Sequence, residues 1–177
     1  MKIFYLIVFV LFSITTKTQA NQTDKNILIK NIEKNLSIYN KVALKIWEYA
    51  EVGFKEEKSS KELITLLKEN GFVITEGVAG MPTAFIAEYG KSGPIIGVLG
   101  EYDALPGLSQ THNAVKEKRN GVVSGHGCGH NLFGVASAAA AIATKNWLEE
   151  TNTEGVIRFY GCPAEEGGSG KVYMVRE

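Results

Sequence analysis

The chain has 177 residues, of which 45% are hydrophobic, enough apolar material for one globular domain. Its 19 basic and 19 acidic side chains cancel to a formal net charge of zero. No basic field is left to attract a polyanion, which argues against nucleic acid as a partner.

At the N-terminus, Met1-Lys2 precede an apolar run over residues 3–12 and the small-residue end Thr18-Gln19-Ala20. That pattern reads as a signal peptide over residues 1–20, because the run is shorter than the ~20 residues a spanning helix needs. An uncleaved membrane anchor is the competing reading. Cleavage after Ala20 removes Lys2 and Lys17 and leaves a slightly acidic mature domain, residues 21–177, in the periplasm or outside the cell.

Over residues 24–50, Leu28, Ile32, Leu36, Tyr39, Ala43, Ile46, Trp47 and Ala50 recur at steps of three and four, predicting one amphipathic helix. Ser59 and Glu62 form a capping-box pattern before Leu63, Ile64, Leu66 and Leu67. A second helix should therefore begin at Ser59 and stop at Gly71. The period then changes: residues 72–75, 83–89, 95–99 and 156–159 are short β-prone runs bounded by Gly and Pro. Residues 95–99 are apolar on both faces, as expected of an interior strand with helices on each side. An Ala-rich helix is predicted over 132–150, where small side chains allow close packing on a sheet, and a last helix over 171–177. The fold class is α/β, a mixed sheet flanked by helices. The aperiodic stretch over residues 102–129 is long for a loop, and such loops in compact domains are usually functional.

Two acidic groups follow predicted strands. Asp103 comes after residues 95–99, and Glu165-Glu166 after residues 156–159. In open α/β sheets ligands bind beyond the carboxyl ends of strands, which is where this order places them.

In Gly125-His-Gly-Cys-Gly-His-Asn131, His126, Cys128 and His130 alternate with glycine. In extended backbone these side chains share one face, and the glycines let the chain approach an ion. Cys128 and His130 are read as metal ligands, and His126 as a supporting or structural imidazole. In an oxidising compartment a Cys128–Cys162 disulfide competes, but the Gly-His flanks of Cys128 favour a thiolate ligand. Successive side chains diverge from extended backbone, so Glu165 and Glu166 suit two tasks, one ligating metal and one moving a proton. On spacing alone Asp103 reads as a turn residue, and His112 as a structural or exposed histidine.

Rival motifs fail. Gly167-Gly-Ser-Gly-Lys171 lacks the glycine a phosphate loop needs at Glu165 and the hydroxyl it needs at Val172. No Gly-x-Ser-x-Gly elbow surrounds Ser124, Ser137 or Ser169.

Gly100-Glu-Tyr-Asp-Ala-Leu-Pro-Gly107, the Cys-Gly-His segment and Gly161-Cys-Pro-Ala-Glu-Glu-Gly-Gly-Ser-Gly-Lys171 together resemble the peptidase-family-twenty metallohydrolases, in particular their aminobenzoyl-glutamate branch. With Ala50-Glu-Val-Gly-Phe54 and Ser59-Ser60, the resemblance covers nearly all of the chain after residue 20. It implies a two-metal amidohydrolase binding two divalent ions, zinc or manganese, with an α/β catalytic domain and a lid domain used for homodimerisation. Carried over by motif position, Cys128, His130 and Glu166 are metal ligands, Glu165 is the general base, and Asp103 is the acidic residue behind the metal site. Asn131 stands where many amidohydrolase relatives have Asp, a departure that points to the aminobenzoyl-glutamate branch. The implied substrate is an N-acyl or N-aroyl amino acid, or a short peptide. Against this pattern the chain reads as an N-terminal fragment, the lid and further histidine ligands lying beyond Glu177, with weak metal binding and no appreciable turnover of its own. Two alternatives stay open: a secreted, non-catalytic metal-binding or interaction module, and a peptide carboxypeptidase of the same superfamily.

Overall fold

The computed structural model describes residues 22–177; the expected signal peptide lies outside the described residues. Among the described residues, no helix is long and apolar enough to cross a membrane.

The single helix expected over residues 24–50 is two, α1 (Gln22–Lys34) and α2 (Leu36–Tyr49). They break at Asn35, whose side-chain amide donates to the Asn31 carbonyl. The apolar period runs straight through the break, so periodicity alone could not reveal it. α2 buries Tyr39, Val42, Ala43 and Ile46 on one face and ends at Ala50, in left-handed conformation at φ 45°.

α3 (Glu57–Glu69) starts two residues before the expected Ser59. The capping box does not form. Instead the Glu51 carboxylate accepts hydrogen bonds from the amides of Lys58 and Ser59, the latter at 2.8 Å, and from the Ser59 hydroxyl at 2.7 Å. A carboxylate at a helix N-terminus satisfies several free amides and complements the helix dipole, so it displaces the weaker local cap. Glu62 turns away to Lys45 at 2.8 Å and Tyr49 at 3.0 Å.

Then come β1 (Val73–Glu76), β2 (Phe85–Tyr89), β3 (Ile95–Glu101), the short antiparallel pair β4 (Leu105–Pro106) and β5 (Ser124–Gly125), α4 (His130–Thr151), β6 (Val156–Cys162), and the short α5 (Glu165–Gly168) and α6 (Gly170–Val175). The main sheet has the order β1-β2-β6-β3. β1, β2 and β6 pair antiparallel, while β3 and β6 run parallel from Ile95 opposite Val156 to Glu101 opposite Cys162. The sheet is mixed, as expected, and α4 is the crossover that a parallel pair requires.

The core lies between the sheet and α2, α3 and α4. Phe85 stacks on Phe159 at 5.7 Å and on Tyr102 at 6.2 Å between ring centroids, with Ile46, Leu63, Leu67 and Ile142 packed around them. Gly134 lets α4 press against β3, since a Cβ there would stand 2.4 Å from the Glu101 carbonyl oxygen.

The apolar pattern of β3 predicts an interior strand. Among the described residues it is the sheet edge, and Ile95, Ile96 and Leu99 are exposed. The long helices cover one face only; α6 lies on the other, where Met174 and Val175 line a cavity of about 330 Å³ with Leu99, Tyr160 and Cys162. An apolar pattern records which faces are suited to burial, and among the described residues the long helices cover only one of the two.

Candidate metal centre

The parallel strands β3 and β6 end side by side, and the charged residues gather just beyond them. Glu101 is the last residue of β3 and Asp103 follows two positions on; Glu165 and Glu166 follow β6 after Pro163 and Ala164. His130 enters from above as the first residue of α4, after Gly129 turns the chain at φ 88°.

The buried His130 imidazole is the centre of the cluster. Its Nδ1–H donates to Asp103 Oδ1 at 2.9 Å, while its Nε2 faces Glu101 Oε2 at 3.0 Å, Glu165 Oε2 at 3.8 Å and Glu166 Oε1 at 3.9 Å. Asp103 is also buried, and its Oδ2 accepts the Glu166 amide at 2.8 Å. One carboxylate thus fixes both the imidazole ring and the backbone of an acidic residue. Three more carboxylates crowd one nitrogen, an arrangement that repels itself unless a cation sits among them.

The ligand atoms of Cys128, His130 and Glu166 all lie within 4.8 Å of one another, as do those of Glu101, His130 and Glu165. Glu166 Oε1 is buried without a hydrogen-bond partner. The hydrogen bond to Glu166, then partial desolvation and the nearby carboxylates, push the Cys128 thiol above its ordinary pKa. A divalent cation would reverse each of these penalties. It would supply the missing partner for Glu166, offset the carboxylates, and favour the thiolate. The donor set of sulfur, imidazole nitrogen and carboxylate oxygen is one that zinc accepts, so the residues present fit a metal.

The structure corrects two local expectations. His126, Cys128 and His130 do not line one extended edge: β5 stops at Gly125, the chain bends, and His130 already belongs to α4. His126 Nε2 donates to the Ile46 carbonyl at 3.0 Å, and burial lowers its pKa, favouring the neutral ring. The glycines serve loop packing here; a Cβ on Gly125 would meet the Leu108 carbonyl oxygen at 2.1 Å, and one on Gly127 the Leu108 side chain at 2.7 Å. Nor do Glu165 and Glu166 diverge from an extended strand. Ala164 at φ 54°, Glu166 at φ −70°, ψ 67° and Gly167 at φ 92° form a tight turn that aims both carboxylates toward His130. Their environments still differ, with the side chain of Glu165 44% exposed and that of Glu166 17%.

Cys128 is exposed, Cys162 is buried, and both thiols are free. Burial raises the Cys162 thiol to about 11. His112 is exposed in the loop and belongs to neither group of converging ligand atoms. Sequence reasoning overlooks Glu101 and Lys171. Glu101 Oε1 pairs with the Lys171 ammonium while Oε2 faces His130, so Lys171 offsets part of the negative charge. The only signal is position, because Glu101 ends the strand that leads to Asp103.

An α/β sheet whose strand ends gather thiol, imidazole and carboxylate donors has the architecture of a metallohydrolase catalytic domain. The sequence model of peptidase family M20/M25/M40 matches residues 97–177, and the chain belongs to this family. It is 49% identical over 147 residues to a component of the p-aminobenzoyl-glutamate hydrolase of Escherichia coli, covering 82% of this chain and 31% of that protein. It is 30% identical to the hippurate hydrolase of Campylobacter jejuni over 78% of this chain and 35% of that one. It is 35% identical to thermostable carboxypeptidase 1 of Saccharolobus solfataricus over 70% and 31%. The chain spans about a third of the length of these curated relatives. Among solved structures, a dinuclear metal-binding peptidase of the M20 family from Bacillus subtilis matches with a TM-score of 0.59 and 25% identity, over 86% of this chain and 40% of that one. An aminohydrolase from methicillin-resistant Staphylococcus aureus matches with a TM-score of 0.71 over 85% and 38%; at 18% identity this is a likeness of fold.

Proposed function

We propose that the full-length protein is a metal-dependent amidohydrolase cleaving the amide bond of an N-acyl or N-aroyl amino acid, with an aminobenzoyl-glutamate-like compound as substrate. One observation carries this reading: Cys128, His130 and Glu166 bring three different ligand atoms together, with Glu165 beside them on the open side. The hydrolase names of the relatives support the reaction class. Two zinc or manganese ions, when bound, would polarise the amide carbonyl and make water acidic enough to attack near neutral pH. Cys128, His130 and Glu166 would hold them, together with ligands from the rest of the full-length protein.

The chain's own residues divide the remaining work. Asp103 keeps the His130 proton on Nδ1 and leaves Nε2 free to ligate, which is how an outer carboxylate sets a ligand's tautomer. It also fixes the Glu166 amide. Glu165, the more exposed of the pair, takes the proton of the attacking water and passes it to the departing nitrogen. A short peptide is the second substrate reading, favoured by the carboxypeptidase relative. Export through residues 1–20 and homodimerisation belong to the same proposal.

The test is Glu165→Gln in the full-length protein, with hydrolysis of aminobenzoyl-glutamate followed by product formation. Turnover should fall by roughly 10²–10⁴-fold while bound metal stays at the wild-type level, because the lost group moves a proton. A wild-type protein that binds zinc but cleaves neither amide nor peptide would leave the non-catalytic metal-binding module standing instead.

A further inference from the structure

We propose that Glu56 is a positioning residue for the Glu165-Glu166 pair, acting through the backbone of Ala164. Glu56 is 0% exposed and occupies the residue before α3. It caps nothing there. Its Oε1 instead accepts the Ala164 amide at 2.7 Å, across 108 positions of sequence, while Oε2 is buried without a hydrogen-bond partner and the Thr83 side chain lies beside it.

Ala164 is the pivot of the acidic turn. It is fully buried and holds φ 54°, ψ 43°, a left-handed conformation that a residue with a side chain adopts only when its surroundings impose it. Its carbonyl accepts the amides of Gly168 at 3.1 Å and Gly170 at 3.4 Å, closing the turn around Glu165 and Glu166. The Glu56 carboxyl is the partner on its other side. Gly53 completes the seat, since a Cβ there would stand 3.0 Å from both Ala164 Cα and Cβ.

The same short segment also grips the loop that carries Asp103. The Glu51 carbonyl accepts the Ala104 amide at 2.7 Å, and Val52 bridges Ala104 in parallel. Residues 51–56 therefore brace two loops at once, and the Asp103 to Glu166 hydrogen bond joins those loops at the centre. Moving Ala164 would carry both glutamates away from His130. Nothing in the run Lys55-Glu-Glu-Lys58 separates this glutamate from its solvated neighbour Glu57.

The inference rests on the amidohydrolase reading for its kinetic readout, so zinc affinity is measured beside it. In the full-length protein, Glu56→Ala, Glu56→Gln, Glu56→Met and Gly53→Ala are compared with wild type for zinc binding by calorimetry, for kcat and KM on aminobenzoyl-glutamate, and for near-ultraviolet circular dichroism. Glu56→Ala should lower zinc affinity and kcat by about tenfold or more, the scale of outer-shell losses, with KM within about twofold. Glu56→Gln keeps the oxygen that accepts the Ala164 amide and should stay within about threefold of wild type, whereas Glu56→Met, of similar volume but without that oxygen, should lose as much as Glu56→Ala. Wild-type affinity and kcat in Glu56→Ala, or equal losses in Ala and Gln variants, would overturn the proposal. If Glu56→Ala does not fold, Gly53→Ala decides: its single added methyl should lower kcat and zinc affinity, and unchanged values would overturn the proposal. A wild-type protein without turnover would refute the amidohydrolase reading, and the zinc series would still report on Glu56.

Discussion

Replacing Asp103 by alanine removes the carboxylate on which the centre is assembled. Two hydrogen bonds go with it, from His130 Nδ1 at 2.9 Å and from the Glu166 amide at 2.8 Å, both at a buried acceptor. Hydrogen bonds to a charged group are worth about 1.5–3 kcal/mol each, which sets an upper figure of roughly 6 kcal/mol for the pair. Loss of one negative charge beside Glu56 and the site carboxylates relieves repulsion and returns part of this. The expected net cost is about 3 kcal/mol, half of the upper figure. Urea unfolding of the metal-free full-length protein would report it as a lower midpoint at unchanged slope. Zinc affinity should fall by about 10–100-fold, as when an outer carboxylate is taken from a ligating histidine. A variant less than about 1 kcal/mol destabilised, with wild-type zinc affinity, would mean that Asp103 does not organise the centre.

Other perturbations follow from the same geometry. Gly134→Ala places a methyl 2.4 Å from the Glu101 carbonyl oxygen, so α4 must move off β3. Thermal unfolding should show a loss of about 1–3 kcal/mol, and an unchanged melting temperature would show that the helix has slack. Burial raises the Glu56 carboxyl above its ordinary 4.5, so the folded state favours the protonated form. Its stabilising contribution is complete below 4.5 and lost as pH rises through the folded value, and Glu56→Gln does not titrate. The variant should therefore gain stability relative to wild type as pH rises above 4.5, and a difference independent of pH would contradict the raised carboxyl. Cys128 in the metal-free protein should alkylate slowly at neutral pH and faster as pH rises, since Glu166 holds its thiol up. Glu166→Gln should speed that reaction and zinc should block it; alkylation indifferent to zinc would remove Cys128 from the ligand set.

Most of the fold was legible because apolar periodicity reports burial. α3, α4 and the four main-sheet strands occur where their patterns place them, shifted by a few residues at their ends. What could not be read depends on contacts remote in sequence. Asn35 interrupts a helix without a Gly or Pro to announce it, and Glu51 caps α3 from outside the helix. Residues 95–99 are apolar on both faces, a pattern silent about whether both are covered.

The centre divides in the same way. Cys128 and His130 were legible as candidate ligands because few other tasks explain a thiol and an imidazole spaced by glycine, whereas the choice of Glu166 over Glu165 came only from the family resemblance. For His126 the sequence conveys the chemical character but not the geometry, since alternation with glycine implies a shared face only where the backbone is extended. Glu101, Lys171 and Glu56 were invisible because each is an ordinary charged residue until the fold turns Glu101 toward His130, Lys171 toward Glu101 and Glu56 toward Ala164.

X-ray absorption at the zinc edge tests the centre most directly, on zinc-loaded full-length protein with and without Cys128→Ser. A wild-type spectrum with a sulfur ligand at about 2.3 Å beside nitrogen and oxygen, and loss of that sulfur in the variant, is the predicted result. Zinc bound by nitrogen and oxygen alone in both proteins would contradict it, because Cys128 would then stand outside the site that it is said to build with His130 and Glu166.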